Sequence, residues 1–214
     1  MKQAHTIQRS LPRDTWGWIW PDVLIRLAPF WIISLIAAHF MGGTAAIGLR
    51  APIGGWFPAL LAGTALGLAL MACAVFWRSR IAPRYRLPTH ADQALQTFFY
   101  LIMNAPTEEL FWRGVVQTLA IRALLGLGVP HTFGVVLGVA TISALFGAYH
   151  RLGGYPWRFN IAAMLAGAVF GTLYVVLPGP SIVVPTIVHG LMTAGYLSWG
   201  DAVLHWRSSR HQMV

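Results

Sequence analysis

Apolar runs of about twenty residues, each long enough to cross a bilayer, recur along this chain and constrain its fold more than any other feature. They extend from about Val23 to Met41, Trp56 to Trp77, Thr132 to Tyr149, Phe159 to Leu177 and Ile182 to Trp199. One further element, from about Ala94 to Leu125, is interrupted near Pro106. Unbroken, it would measure about 48 Å, well beyond a hydrocarbon core of about 30 Å. At 57% hydrophobic and only 10% charged residues, the chain is far from a soluble composition. The expected fold is an all-α polytopic membrane protein with about six transmembrane helices in one bundle, a single membrane domain over 1–214. The first run is too long for a signal-peptide core and lacks a cleavage site, so it reads as a span that is kept.

The charges orient that bundle. In a six-span layout Lys2, Arg9, Arg13, Arg78, Arg80, Arg84, Arg86, Arg151, Arg158, Arg207 and Arg210 fall on one side, against Arg50 and Arg122 on the other. The positive-inside rule makes the richer side cytoplasmic, with both termini and a basic segment 1–22 that ends in the interfacial Trp16, Trp18 and Trp20. The formal charge of +9 therefore reflects topology, and nucleic acid is not an expected partner. Cys73, the single cysteine, excludes an internal disulfide and is expected to pack in the core. Gly63/Gly67, Gly134/Gly138 and Gly167/Gly171 have the spacing that lets helices approach closely.

Glu108 and Glu109 are the only glutamates, and they lie inside an apolar run. A carboxylate there is costly unless it is paired or faces water. Arg113 follows Glu109 by four residues, acid first, the arrangement that pairs charges on a helix. The expectation is a Glu109–Arg113 pair that leaves Glu108 unpaired. Asn104-Ala105-Pro106 reads as a break, with Asn104 capping a new helix and both glutamates near its N-terminus.

Three histidines are weighed as candidates: His39, His150 and His189. His39 reads as a hydrogen-bonded packing residue. Counting at 1.5 Å per residue puts Glu108 about 27 Å from Gly126 and His150 about 28 Å from His131, one common level. His189 lies only about 10 Å from Ile182, so the last helix must start deeper, as Pro178, Pro180 and Pro185 permit.

Glu108-Glu109-x-x-x-Arg113, then Phe146-x-x-x-His150, then His189-x-x-x-Thr193 on successive spans resembles the pattern of the CPBP family of CAAX-prenyl-protease and bacteriocin-processing membrane proteins, also called Abi. The resemblance covers a core at about 95–200. Thr193 stands where the family usually has Asn or Asp. The resemblance implies an intramembrane endopeptidase of glutamic type. Glu108 would be general base, His150 would share the water, and His189 with Thr193 would face the developing oxyanion. Glu109 and Arg113 complete the motif, and Phe146 and Asn104 support it.

No cofactor is expected. Glu108, His150 and His189 would make a three-ligand zinc set, but none share the tight His-x-x-x-His spacing and the resemblance implies a metal-free mechanism. The expected partners are the lipid bilayer and a membrane-anchored or lipid-proximal protein or peptide substrate, with no oligomeric state implied. The expected place is a bacterial inner (plasma) membrane, with the active site toward the cytoplasm. Two other classes compete: a non-catalytic immunity or scaffold protein of the same fold, and an ion or proton transporter.

Overall fold

A computed structural model describes residues 15–78, 90–176, 180–200 and 202–203. Among them every regular element is helical. We number six helices: α1 (Thr15–Met41), α2 (Trp56–Arg78), α3 (90–126), α4 (His131–Leu152), α5 (Trp157–Val176) and α6 (183–200). Four of them, α1, α2, α4 and α5, are long and apolar enough to cross a membrane. The first helix begins at Thr15, earlier than the expected Val23, and so takes in the interfacial tryptophans. Of the expected basic loop 78–93, Arg78 ends α2 and residues 90–93 open α3; residues 79–89, most of segment 1–22 and the tail from 204 lie outside the described residues.

The chain is apolar outside and polar within. Leu24, Ile25, Ile32, Phe40, Phe57, Leu61, Phe76, Phe133, Leu137 and Leu165 are exposed, while Glu108, Glu109, Arg113, Gln117 and His189 are buried. Water would not sustain such a surface, whereas lipid does, and the chain is an integral membrane protein. Cys73 is corrected by the same pattern. It lies exposed on α2, because that helix buries its Gly63 and Gly67 face instead. His39 is likewise exposed, edge-on to Phe40 at 5.2 Å, and not a core residue.

The expected break at Asn104-Ala105-Pro106 is absent, and α3 runs through it. Proline lacks an N–H, and its ring presses on the carbonyl four residues earlier. Here the turn before it, Phe99–Asn104, is wound as a π-helix, which moves that carbonyl aside so the helix continues. Asn104 keeps helical dihedrals (φ −70°, ψ −59°) and makes no capping bond. The glutamates therefore lie in mid-helix, not at an N-terminus. The same device occurs in α1, where the π-turn Val23–Leu27 precedes Ala28-Pro29. A second π-segment in α3 covers Leu110–Gln117.

Small residues set the helix contacts, as their spacing predicts. A Cβ on Gly67 would lie 2.6 Å from Leu191 of α6, and one on Gly138 would lie 2.5 Å from Ile121 of α3. Between α1 and α2 the chain folds back through the 3-10 turn Thr44–Ile47 and buries Ile47 against Ala38, Leu110, Val115, Tyr174 and Ile182. The carbonyl oxygen of Ile47 would be 2.4 Å from a Cβ on Gly114, so only glycine fits there. Ile182 N–H donates to the Gly48 carbonyl at 3.2 Å. This bond ties the start of α6 to a turn already inside the bundle. In this way α6 starts deep enough for His189 to reach α3.

Candidate active site

Helix α3 brings Glu108, Glu109 and Arg113 into the bundle interior, and four other helices supply their partners. Glu109 and Arg113 have no exposure at all. Arg113 Nε lies 3.4 Å from Glu109 Oε2, so the i,i+4 pair expected from spacing is present. Its contact is Coulombic, without an aligned hydrogen bond. The guanidinium is held further by its Nη2, which donates to the Gly167 carbonyl at 3.3 Å, and by the rings of Phe146 and Phe170 at 4.7 and 5.7 Å. One turn on, Gln117 Nε2 donates to the Gly171 carbonyl at 3.0 Å. Gly167 and Gly171 thus let α5 approach and also present carbonyls to α3.

Glu108 differs from the expectation. It is not the unpaired acid, because Arg26 of α1 reaches across and donates from Nη1 to Glu108 Oε1. The same guanidinium donates from Nη2 to Asn104 Oδ1 and from Nε to Asp22 Oδ1, the last at 2.7 Å. Asn104 is a site residue after all, though it serves to hold an arginine and not to cap a helix. Sequence reasoning missed Arg26 and Asp22. Arg26 was visible as a lone cation within an apolar run, which marks function by default. Only the three-dimensional arrangement identifies its acid.

His189 of α6 stands between the two carboxylates. Its Nδ1 is 2.7 Å from Glu109 Oε1, and its Nε2 is 3.8 Å from Glu108 Oε2. The ring lies flat on Phe170 (4.6 Å, 14°) and edge-on to Phe146 (6.0 Å, 89°), which fixes its plane. With Glu109 ionised, Nδ1 carries the proton and donates to it. Nε2 then is a bare acceptor in the neutral ring and a donor only in the imidazolium. His150 of α4 is half-buried, with Nδ1 2.7 Å from its own Phe146 carbonyl and its ring 4.7 Å from the Phe146 ring. Its Nδ1 is thereby the protonated nitrogen of the neutral ring, and Nε2 is left to act. Glu108 lies within electrostatic range of both histidines.

Of the residues singled out by sequence, Glu108, Glu109, Arg113, Phe146, His189 and Asn104 are joined by contacts, and His150 adjoins through Phe146. Thr193 is one turn beyond His189 and half-buried. Among the described residues, no hydrogen bond ties it to this cluster. Nor do the described residues include a group of three or more His, Cys, Asp and Glu side chains arranged to hold a metal ion.

Residues 90–195 match the Rce1-like family, described as type II CAAX prenyl endopeptidase Rce1-like. No curated protein and no solved structure matches the chain. The matched segment carries both glutamates, Arg113, Phe146, both histidines and Thr193, in the bundle just described. Residues 90–195 are an Rce1-like domain of the CPBP family.

Proposed function

We propose that this protein is an intramembrane endopeptidase that hydrolyses a peptide bond in a membrane-anchored or lipid-proximal protein substrate by carboxylate-activated water. The observation that carries the reading is the division of labour at Glu108. One oxygen, Oε1, is held by Arg26, and the other, Oε2, faces His189 Nε2 at 3.8 Å. A water donating to Oε2 is positioned for attack, with His150 beside it to share the proton. As the water oxygen bonds to the scissile carbonyl carbon, Glu108 takes its proton. The carbonyl oxygen becomes an oxyanion, which the His189 imidazolium stabilises from Nε2. The proton then passes to the leaving amine as the C–N bond breaks. Glu109 acts through His189, holding its ring and balancing its charge.

The reaction uses no metal in this reading, and the site would open toward the cytoplasmic leaflet of a bacterial plasma membrane. Thr193 offers a shorter hydroxyl where an amide would reach further, which weakens oxyanion stabilisation by up to about 3 kcal/mol. The test is cleavage of a fluorogenic library of membrane-anchored peptides by detergent-purified protein. Wild type, Glu108→Gln, His189→Ala and Thr193→Asn are compared, each with and without a strong chelator. The expected result is chelator-insensitive cleavage, lost in the first two variants and faster in Thr193→Asn. Chelator-sensitive cleavage would make Glu108, His150 and His189 ligands. A folded wild type and Thr193→Asn that both cut nothing would favour the non-catalytic scaffold.

A further inference from the structure

The part of this site that lies outside the matched segment is the pair Asp22–Arg26, which reaches Glu108 from α1. Arg26 sits in the π-turn of α1 and Asn104 in the π-turn of α3, and each π-turn is followed directly by Ala-Pro. The two widened turns face each other, and the guanidinium spans the space between them. It takes Asp22 with Nε and Nη2, Asn104 with Nη2, and Glu108 with Nη1. A guanidinium is a planar fork, so fixing two edges of it fixes the direction of the third. Asp22 and Asn104 thereby decide where Nη1 points. Nη1 in turn decides which oxygen of Glu108 is engaged and which faces His189.

We propose that Arg26, oriented by Asp22 and Asn104, is a positioning residue for Glu108: it holds Oε1 so that Oε2 alone serves as the base. The proposal rests on the proteolytic reading above and adds two residues from α1 to it. The charged and titratable groups around Glu108 are consistent with this role. Glu109 adjoins it in sequence, and Arg113 lies on the same helix. His189 faces it from α6, His150 and Tyr149 from α4, and Arg26 with Asp22 from α1. Arg113 is committed to Glu109, Gly167 and two rings. Of the two arginines, Arg26 is therefore the one in contact with Glu108 itself, and it restrains a carboxylate that would otherwise rotate about its last torsion. A misplacement of about 1 Å at a reacting group costs about a hundredfold in rate.

The experiment measures kcat and KM for cleavage by Arg26→Gln, Arg26→Lys and Asp22→Asn, with activity normalised to folded protein. Arg26→Gln is expected to lower kcat about a hundredfold with KM within twofold. Arg26→Lys, which keeps the charge but not the fork, should recover part of that loss, and Asp22→Asn should lower kcat about tenfold. In a Glu108→Gln background, Arg26→Gln should remove nothing further. A kcat for Arg26→Gln equal to or above wild type overturns the proposal, since it would make the arginine neutral or a restraint on the enzyme. So does a loss confined to melting temperature. If neither wild type nor Thr193→Asn cleaves a peptide, the proteolytic reading fails by itself, and the contact is judged by melting temperatures alone. Non-additive shifts of Arg26→Gln and Glu108→Gln support the pairing, and additive shifts overturn it.

Discussion

Arg113 has no exposure and lies beside the Glu109 carboxylate and against Phe146 and Phe170. Removing one member of a buried ion pair leaves the other charge uncompensated, at a cost of about 3–5 kcal/mol. Arg113→Met should therefore lower the melting temperature of the detergent-purified protein markedly, and Glu109→Gln in the same chain should recover much of the loss. An Arg113→Met variant that melts like wild type would show that Glu109 is not ionised. This pair was legible in the sequence, because i,i+4 spacing on a helix is a local rule and needs no knowledge of the rest of the fold. The partner of Glu108 was not legible in that way. Arg26 lies far away in sequence, and its choice among acids depends on which helix faces meet. His189 falls between the two cases. Its motif marked it, but its contact with Glu109 required α6 to start inside the bundle.

At the scale of the element, the lesson concerns proline. A break was the natural reading of Asn104-Ala105-Pro106, since proline usually ends or kinks a helix. What the sequence does not display is the alternative, in which the preceding turn widens and the helix carries on. The consequence is functional as well as geometric. A π-turn inserts about one residue, and with about 100° per residue it rotates the faces on either side of it relative to each other. From the end of the turn onward, Asn104 and Glu108, four residues apart, both meet Arg26 of α1, while Glu109 meets His189 of α6. Pro106→Ala restores the backbone donor and removes the ring, so that the π-turn Phe99–Asn104 can relax into a regular α-helix. Cleavage should then drop by about tenfold or more, while the melting temperature stays within a few degrees of wild type. Thermal unfolding and kinetics on the same sample decide it. Full activity with an intact fold would mean that the widened turn is held by packing and not by Pro106. The small-residue pairs, by contrast, were readable as packing from spacing alone, and each meets a neighbouring helix in the structure.

For the whole molecule, the open quantity is how many times the chain crosses the membrane. Helix α3 is excluded from the apolar set by its own site, because Glu108, Glu109, Arg113 and Arg122 lower its hydropathy. Its packing nevertheless follows that of α4. Leu125 of α3 meets Gly134, Ile121 meets Gly138, and Trp112 meets Phe146 and Tyr149, an antiparallel pairing along most of α4. A helix that accompanies a spanning helix over such a length crosses wherever its partner does. The same holds for α6 beside α2, where Ile187, Leu191, Gly195 and Gly200 meet Gly63, Gly67, Met71 and Arg78 in order. From these pairings we infer six crossings. The inference has a simple parity test, because residues 50 and 151 are separated by α2, α3 and α4. Three crossings put them on opposite faces, whereas two, with α3 merely embedded, put them on the same face. Arg50→Cys and Arg151→Cys, each in a Cys73→Ser background, are treated in intact cells with a membrane-impermeant thiol reagent. The cysteine at 50 should label directly, and the one at 151 only after the membrane is opened. Labelling of both from outside would remove α3 from the spanning set. The reverse pattern would keep six crossings but turn the molecule over, placing Glu108 and His150 toward the outer face despite the distribution of arginines.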